Sequence, residues 1–469
     1  MPETGIHFMG AAQTVTGSRH LFGYGRTKFL LDCGMFQDKI SIKADRNLEF
    51  GFDPTSVDFV ILSHAHIDHS GSLPRLVKLG FRGKIYSTAA TRDLCEVMLA
   101  DSAHIQVSDT EFRNQRRKAK GKPPLEPAYT PEDVKETMTR FQTVGYEQLT
   151  EIVPGLKFRF TDAGHILGSA AVSLELKQDD SIIHVTFTGD IGRFHDLILK
   201  EPQPFPQADY ILCESTYGDR LHEATEDAAL LLMNAVRHTC IEKKGKLLIP
   251  AFSLGRTQEI VYTLDRMQSN GLLPRIPVYV DSPLSVDATE IMRHHPECFN
   301  AEIKTFMEKD PDPFGFRGLK YIQDVNESKA LNFSDEPCII ISASGMLDAG
   351  RIKHHVRNNI GKKSTTILMA GYCAPNTLGA DLLNGDKKVR IFGEMHEVKA
   401  EVIALHSYSA HADYKEILRF LGCQDSKKVK TLFLVHGEPE VQQHFRTTLE
   451  KEGFANVQIP ALGDYAVLK

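Results

Sequence analysis

The sequence predicts an α/β protein in two parts, a sheet-rich body and a doubly wound parallel sheet inserted into it. Three observations carry that prediction. Strand-like segments crowd the amino terminus, strand and helix alternate after about residue 208, and histidine-bearing loops lie on both sides of the alternating stretch. The chain is therefore expected to leave the first body and return to it. With 469 residues it is long enough for two or three domains, and 42% hydrophobic with 25% charged residues is an ordinary globular balance.

The elements follow in order. Residues 6–9, 20–24 and 28–32 are strand-like runs separated by glycines, and 57–62 (Val-Asp-Phe-Val-Ile-Leu) is a short apolar run that reads as a buried strand. From 101 to 148 the composition turns helical and charged, and 156–190 is again rich in strands. These segments form the first part of the body, 1–207. The inserted part, 208–398, opens with the apolar run 210–213, continues through a helix over 228–241 and a strand at 246–250, and enters another helix at Arg256. Strands at 277–281 and 337–342 extend the series. The second part of the body, 399–469, contains strands at 400–405 and 431–435, which lead into the loops Ser409-Ala410-His411-Ala412-Asp413 and His436-Gly437-Glu438.

A formal net charge of −6 argues against a globally basic nucleic-acid coat but leaves room for a local basic patch. Arg113, Arg116, Arg117, Lys118, Lys120 and Lys122 form such a run, ending at Gly121-Lys122-Pro123-Pro124 where a helix would stop. A solvated helix end and a phosphate-contacting lobe both fit it. The start of the chain shows neither a basic leader nor an apolar segment, and no run of about 18 apolar residues occurs, so no membrane association is expected. The eight cysteines are scattered without a CxxC pair, mostly inside apolar runs, which predicts reduced core thiols and a cytoplasmic location.

The strongest chemical signal is His64-Ala65-His66-Ile67-Asp68-His69, three imidazoles and a carboxylate within six residues just after the strand 57–62. Imidazole and carboxylate suit zinc, and no thiolate stands nearby to close a structural site, so an open catalytic centre is predicted. If strand alternation persists, His64 and His66 share one ion while Asp68 and His69 turn toward a second. Asp190, between Gly189 and Ile191-Gly192, could bridge both ions, with a turn aspartate as the rival reading. His165 lies in another glycine-flanked loop, and Asp32 at a strand end could accept the second N–H of a ligating imidazole. His436 is a plausible ligand for the second ion and His411 could protonate a leaving group. Elsewhere, Ser342-Ala343-Ser344-Gly345 joins a strand to a helix where backbone N–H groups can cradle a phosphate, tight helix–sheet packing being the alternative. The pairs His294-His295 and His354-His355 read as surface or packing residues.

These motifs in this order resemble the metallo-β-lactamase superfamily, specifically its β-CASP branch of nucleic-acid-processing hydrolases, over essentially the whole chain. Asp32 matches the first motif, His64 to His69 the signature, His165 the third and Asp190 the fourth. Glu214 in Glu-Ser-Thr-Tyr-Gly, His411 and His436 match the β-CASP motifs. The HxHxDH signature is more similar to the cleavage and polyadenylation factor nuclease and its compact bacterial homologues than to ribonuclease J proteins. The resemblance implies an αββα sandwich with an inserted β-CASP domain. It implies two zinc ions, one held by His64, His66 and His165, the other by Asp68, His69 and His436, with Asp190 bridging. It makes His411 the general acid, oriented by Glu214, and Asp32 and Asp68 further members of the catalytic set.

The activity so implied is hydrolysis of phosphodiesters in single-stranded RNA, by internal or terminal cleavage, in RNA processing or decay. Strands would reach the site along a groove contacted by Ser342, Ser344, Gly345, Arg256, Arg351 and Ser409; the resemblance also allows a homodimer. Two other readings stand beside it: a hydrolase of a small ester, thioester or cyclic nucleotide, and an inactive RNA-binding subunit. The chain departs from the family pattern in Ala370-Gly371-Tyr372-Cys373-Ala374-Pro375-Asn376-Thr377-Leu378-Gly379-Ala380, with Cys373, Asn376 and Ala380 where glutamine, glycine and arginine are expected.

Overall fold

The computed structural model describes residues 4–37, 46–222, 228–371, 373, 377–405 and 410–469. They divide into two compact units, residues 1–221 with 411–469, and residues 222–410.

In chain order the strands of the first unit are β1 (Gly5–Phe8), β2 (His20–Tyr24), β3 (Thr27–Leu31), β4 (Phe59–Ile61), β5 (Lys84–Ser87), β6 (Phe141–Thr143), β7 (Thr150–Val153), β8 (Leu156–Asp162), β9 (Ala170–Gln178), β10 (Ser181–Phe187) and β11 (Tyr210–Glu214). The second unit holds β12 (Lys246–Pro250), β13 (Val278–Val280), β14 (Leu319–Tyr321), β15 (Cys338–Ser342), β16 (Thr366–Met369), β17 (Lys388–Ile391), β18 (Glu394–Glu397) and β19 (Glu401–Ala404). The chain re-enters the first unit with β20 (Thr431–Val435), β21 (Val457–Gln458) and β22 (Tyr465–Val467).

Two seven-stranded sheets make the first unit, ordered β22-β1-β2-β3-β4-β5-β6 and β21-β20-β11-β10-β9-β8-β7. Alternation along the strands gives each sheet an apolar face, and the two faces meet in one core. Phe8, Phe22, Phe29, Leu31, Phe59 and Ile61 of the first sheet pack with Phe158, Phe160, Leu174, Val185, Leu212 and Phe433 of the second. The opposite residues of the second sheet, Ile211, Cys213, Leu432 and Leu434, are covered by Ile417, Phe420, Phe445 and Leu449 of the helices Tyr414–Leu421 and Pro439–Lys451. On the first sheet Leu30, Val60 and Ile85 are fully buried, as are Leu73 and Leu94 of the helices Leu73–Lys78 and Ala89–Lys118. The result is the αββα sandwich.

The second unit is a six-stranded sheet ordered β14-β13-β15-β12-β16-β19, every pair parallel, with a separate hairpin of β17 and β18. Its central strands β12, β15 and β16 are buried on both faces, with apolar runs such as Cys338-Ile339-Ile340-Ile341, as a doubly wound sheet requires.

The ladders redraw the boundaries expected at 208 and 398. Strand β11, expected in the inserted part, pairs in parallel with β10 and β20 of the first unit, and β19, expected in the returning part, pairs with β16 of the second. Strand pairing is a through-space property that a run of apolar residues does not disclose. Seven of the cysteines are buried and free and Cys423 is exposed and free. Cys373 lies in the apolar cluster of the second unit, so the thiol there is a packing group. Ser409 and Asn376 lie outside the described residues. No helix among the described residues is long and apolar enough to cross a membrane.

Candidate metal centre

The site residues of the first unit gather because parallel strands end together. In the first sheet β3 and β4 run parallel, so Asp32, just after β3, stands beside the segment that follows β4. In the second, β10, β11 and β20 are parallel neighbours, and their carboxyl ends deliver Asp190, Glu214 and His436 to one edge. His165 arrives from the turn between β8 and β9. The segment after β4 changes from extended chain to the short helix Ile67–Ser70 at His66, which turns Asp68 and His69 away from His64 and His66.

Two groups of donor atoms result. His66 Nδ1 lies 3.2 Å from both His64 Nε2 and His165 Nε2, and each of these lies 3.5 Å from Asp190 Oδ2. His69 Nε2 lies 3.2 Å from His436 Nε2 and 3.3 Å from Asp190 Oδ1, and His436 Nε2 lies 3.3 Å from Asp68 Oδ2. One carboxylate thus presents one oxygen to each group.

The arrangement fits zinc. A tetrahedron with metal–ligand bonds of 2.0–2.1 Å has edges of about 3.3–3.4 Å, close to the 3.2–3.5 Å separations above, while His69 Nε2 and Asp68 Oδ2 stand wider at 3.9 Å. Asp190 Oδ1 is buried without a hydrogen-bond partner, and the imidazole nitrogens point at one another rather than at donors. Such atoms are costly to bury unless a cation lies between them.

Neighbouring groups fix which nitrogen of each ring faces inward. Asp32 Oδ2 accepts from His69 Nδ1 at 2.6 Å and from the hydroxyls of Ser18 and Ser63, while Oδ1 accepts the Ser63 N–H at 2.8 Å. Because the Ser63 hydroxyl donates to Asp32, its oxygen is left to accept from His64 Nδ1 at 3.0 Å. Thr216 does the same for His436, accepting at 3.0 Å from Nδ1 and donating to the His436 carbonyl at 3.2 Å. His64, His69 and His436 therefore all keep Nε2 as the lone-pair nitrogen. Asp32 (φ 58°) and His436 (φ 52°) hold left-handed backbone conformations, a strain of the kind that collects at functional sites.

Replacing Asp32 by alanine releases His69 directly and His64 through Ser63. The expected result is a 10- to 100-fold fall in zinc affinity, measured by chelator competition on folded protein.

Burial holds the His64 imidazole well below its ordinary pKa and His66 down at about 4, so both rings are neutral at neutral pH, as metal ligation would need. Burial alone would raise Asp190, but His436, His69 and His64 outweigh it and hold the carboxyl well below the usual carboxylate range. His411 stands at the rim of this cluster with Nδ1 3.3 Å from Glu214 Oε1 and 3.9 Å from Asp190 Oδ2. Burial disfavours its charged form, yet Glu214 and then Asp190 outweigh the burial and raise it to about 9. Glu214 is itself fixed, accepting the Ile191 N–H at 2.6 Å.

The sequence reading did not single out Ser18, Ser63 or Thr216. Ser63 directly precedes His64 and Thr216 follows Glu214 by two residues, so adjacency to the motifs was the available signal.

The residues expected to contact substrate from the second unit are engaged within it. Ser342, the last residue of β15, donates its hydroxyl to the Asp281 carbonyl at 2.6 Å, and the Ser344 hydroxyl bonds Ala349. A side chain at Gly345 would meet the Phe252 ring at 3.1 Å, so the glycine permits close packing. Arg256 is only 7% exposed and pairs with Glu259 one helical turn on. Arg351 binds Asp281 Oδ1 at 2.7 Å and the Gln323 carbonyl at 2.6 Å. Both guanidiniums are thus held by partners within the unit. His355 is a packing residue, its two nitrogens bound to Asp281 and Asn332.

Comparison with known proteins places family models on three stretches: a metallo-beta-lactamase superfamily domain at 21–194, a Beta-Casp domain at 257–382, and a Zn-dependent metallo-hydrolase RNA specificity domain at 395–460. The chain is 36% identical over 431 residues to Ribonuclease TTHA0252 of Thermus thermophilus, covering 92% of each. It is 31% identical over 449 residues to an RNase J-like protein of Methanocaldococcus jannaschii, covering 95% of each. It is also 31% identical over 460 residues to the transcription termination factor FttA of that organism, covering 95% of this chain and 69% of the relative. A crystal structure of a protein of unknown function from Enterococcus faecalis aligns over 99% of this chain with a TM-score of 0.54 and 13% identity, a likeness of fold alone.

Proposed function

The chain belongs to the metallo-β-lactamase superfamily and to its β-CASP branch, and on that premise we propose that it is a two-zinc ribonuclease of the cytoplasm, cleaving phosphodiester bonds of single-stranded RNA in RNA processing or decay. The observation that carries the hydrolytic part is Asp190, one buried carboxylate whose two oxygens face two separate groups of imidazole nitrogens. The RNA part rests on the RNA specificity domain and on relatives that are ribonucleases by name.

His64, His66 and His165 would hold one zinc, and Asp68, His69 and His436 the other, with Asp190 between them. Zinc so held supplies Lewis acidity toward phosphoryl oxygens and lowers the pKa of water to about 7. The chain's own residues do the rest. Asp32, Ser63 and Thr216 keep the Nε2 lone pairs aimed inward. Glu214 holds His411 by Nδ1, so that the transferable proton sits on Nε2, and a histidine raised to about 9 carries that proton at neutral pH. As water adds to phosphorus and the P–O bond breaks, that proton goes to the leaving oxygen.

Zinc-loaded chain incubated with 5′- and 3′-labelled single-stranded RNA should shorten the RNA, leave a matched DNA largely intact, and stop when a chelator is added. RNA left intact beside rapid hydrolysis of a small ester would sink the ribonuclease reading.

A further inference from the structure

We propose that the carboxyl-terminal end of the helix Ala89–Lys118, with the turn that follows it, is a second single-stranded RNA contact, distant from the metal centre and joined to it by the helix itself. The inference rests on the ribonuclease reading and extends it to how the substrate is held.

The segment concentrates positive charge in a chain whose formal net charge is −6. Arg113, Arg116, Arg117, Lys118, Lys120 and Lys122 fall within ten residues, and the stretch 109–126 offers only Asp109, Glu111 and Glu126 against them. Among the described residues none of the six lies within ion-pair distance of a carboxylate. All but the half-buried Arg117 are exposed. Beside them Phe112 is 57% exposed, with the Arg116 guanidinium 4.8 Å from its ring centroid. An exposed phenyl ring contributes little to folding. A ring flanked by a planar cation, within a field of lysines and arginines, is the combination on which bases stack while their phosphates are neutralised.

The end is built rather than frayed. Asn114 both donates to the Leu125 carbonyl at 2.9 Å and accepts the Leu125 N–H at 2.8 Å, and Arg117 Nε donates to the Pro123 carbonyl at 2.7 Å. The chain after Gly121 is thereby pinned back along the helix, which fixes the backbone from which the cations project.

The other end of the helix abuts the metal centre. Thr88 and Thr91 both donate their hydroxyls to the Gly168 carbonyl, at 2.7 and 2.8 Å, three residues beyond His165. Thirty residues of helix span about 45 Å. At 3.4 Å per stacked nucleotide that is about 13 nucleotides, fewer if the strand is stretched. RNA long enough to bridge the two points should bind more tightly than a hexamer, and only the longer RNA should need the basic end.

The test compares the intact zinc-loaded chain with a variant carrying Arg113→Ala, Arg116→Ala, Lys118→Ala and Lys120→Ala, and with Phe112→Ala alone. Binding is read by fluorescence anisotropy on single-stranded RNAs of 6 and 24 nucleotides over a salt series, and steady-state cleavage is followed on both. For the long RNA the quadruple variant should lower the slope of log K against log salt by up to about 2.8. Phe112→Ala should weaken long-RNA binding at least about 5-fold. KM should rise for the long RNA while kcat, and all hexamer constants, stay as in the parent. Variants that bind the long RNA with the parent's affinity and salt slope overturn the inference while leaving the ribonuclease reading standing. So does loss of binding to vesicles of anionic lipid without loss of RNA binding, which makes the face a membrane contact. A parent that neither binds nor cleaves either RNA overturns both.

Discussion

Asp190→Ala should leave a folded chain that retains less than one zinc under conditions in which the parent retains two, with RNA cleavage reduced by more than about 100-fold. Its two oxygens stand 3.3 to 3.5 Å from His69, His64 and His165, so the substitution removes a donor from both groups at once. In the proposed two-zinc centre it would also remove the anion that offsets two neighbouring dications. Loss of a single outer partner of a ligand lowers metal affinity 10- to 100-fold, and loss of a shared ligand should exceed that range. Asp190→Asn separates charge from shape, since the amide fills the same space with one neutral acceptor. If the charge matters, Asn should behave like Ala in zinc content, measured by elemental analysis after gel filtration. Retention of two zincs and of activity in either variant would remove Asp190 from the bridging position.

How far this site could be read in advance depended on whether chemistry was local. The segment His64 to His69 declares itself because three imidazoles and a carboxylate lie within six residues, and the break from extended chain to helix at His66 is what divides them into two groups. Asp190 and His436 were legible as polar residues at the ends of apolar runs, where parallel strands deliver side chains to a common edge, whereas Glu214 was marked only by the family resemblance. What the sequence could not disclose is pairing across space. Nothing near Arg351 in the chain announces that Asp281, seventy residues away, binds it. Arg256 was closer to legible, because Glu259 follows at the three-residue spacing that brings helical side chains together. The same limit moved β11 and β19 across the expected domain boundaries, since an apolar run states that a strand is buried but not which sheet buries it.

His411→Ala should keep both zincs and lower kcat on RNA by about 10²- to 10⁴-fold, the range expected when a general acid is lost. The side chain stands beside the two donor groups with Nδ1 held by Glu214, and in the proposed mechanism its removal takes away a proton source rather than a ligand. The leaving group supplies the decisive contrast. A phosphodiester with a p-nitrophenolate leaving group needs no proton, and the variant should cleave it nearly as fast as the parent; an equal loss on both substrates would make His411 a structural residue. The pH dependence carries the sign. Burial disfavours the imidazolium, but Glu214, Asp190 and Asp68 outweigh it and raise the group to about 9, so the acid form is filled below that value and kcat falls as pH rises through it. Zinc in the neighbouring groups adds positive charge that works against the carboxylates, which puts the alkaline limb of the loaded enzyme at or below about 9. Glu214→Gln removes the largest group favouring the charge, so the limb should move to lower pH while zinc content holds. In His411→Ala the limb should vanish, and a limb unchanged in both variants would assign it to some other acid.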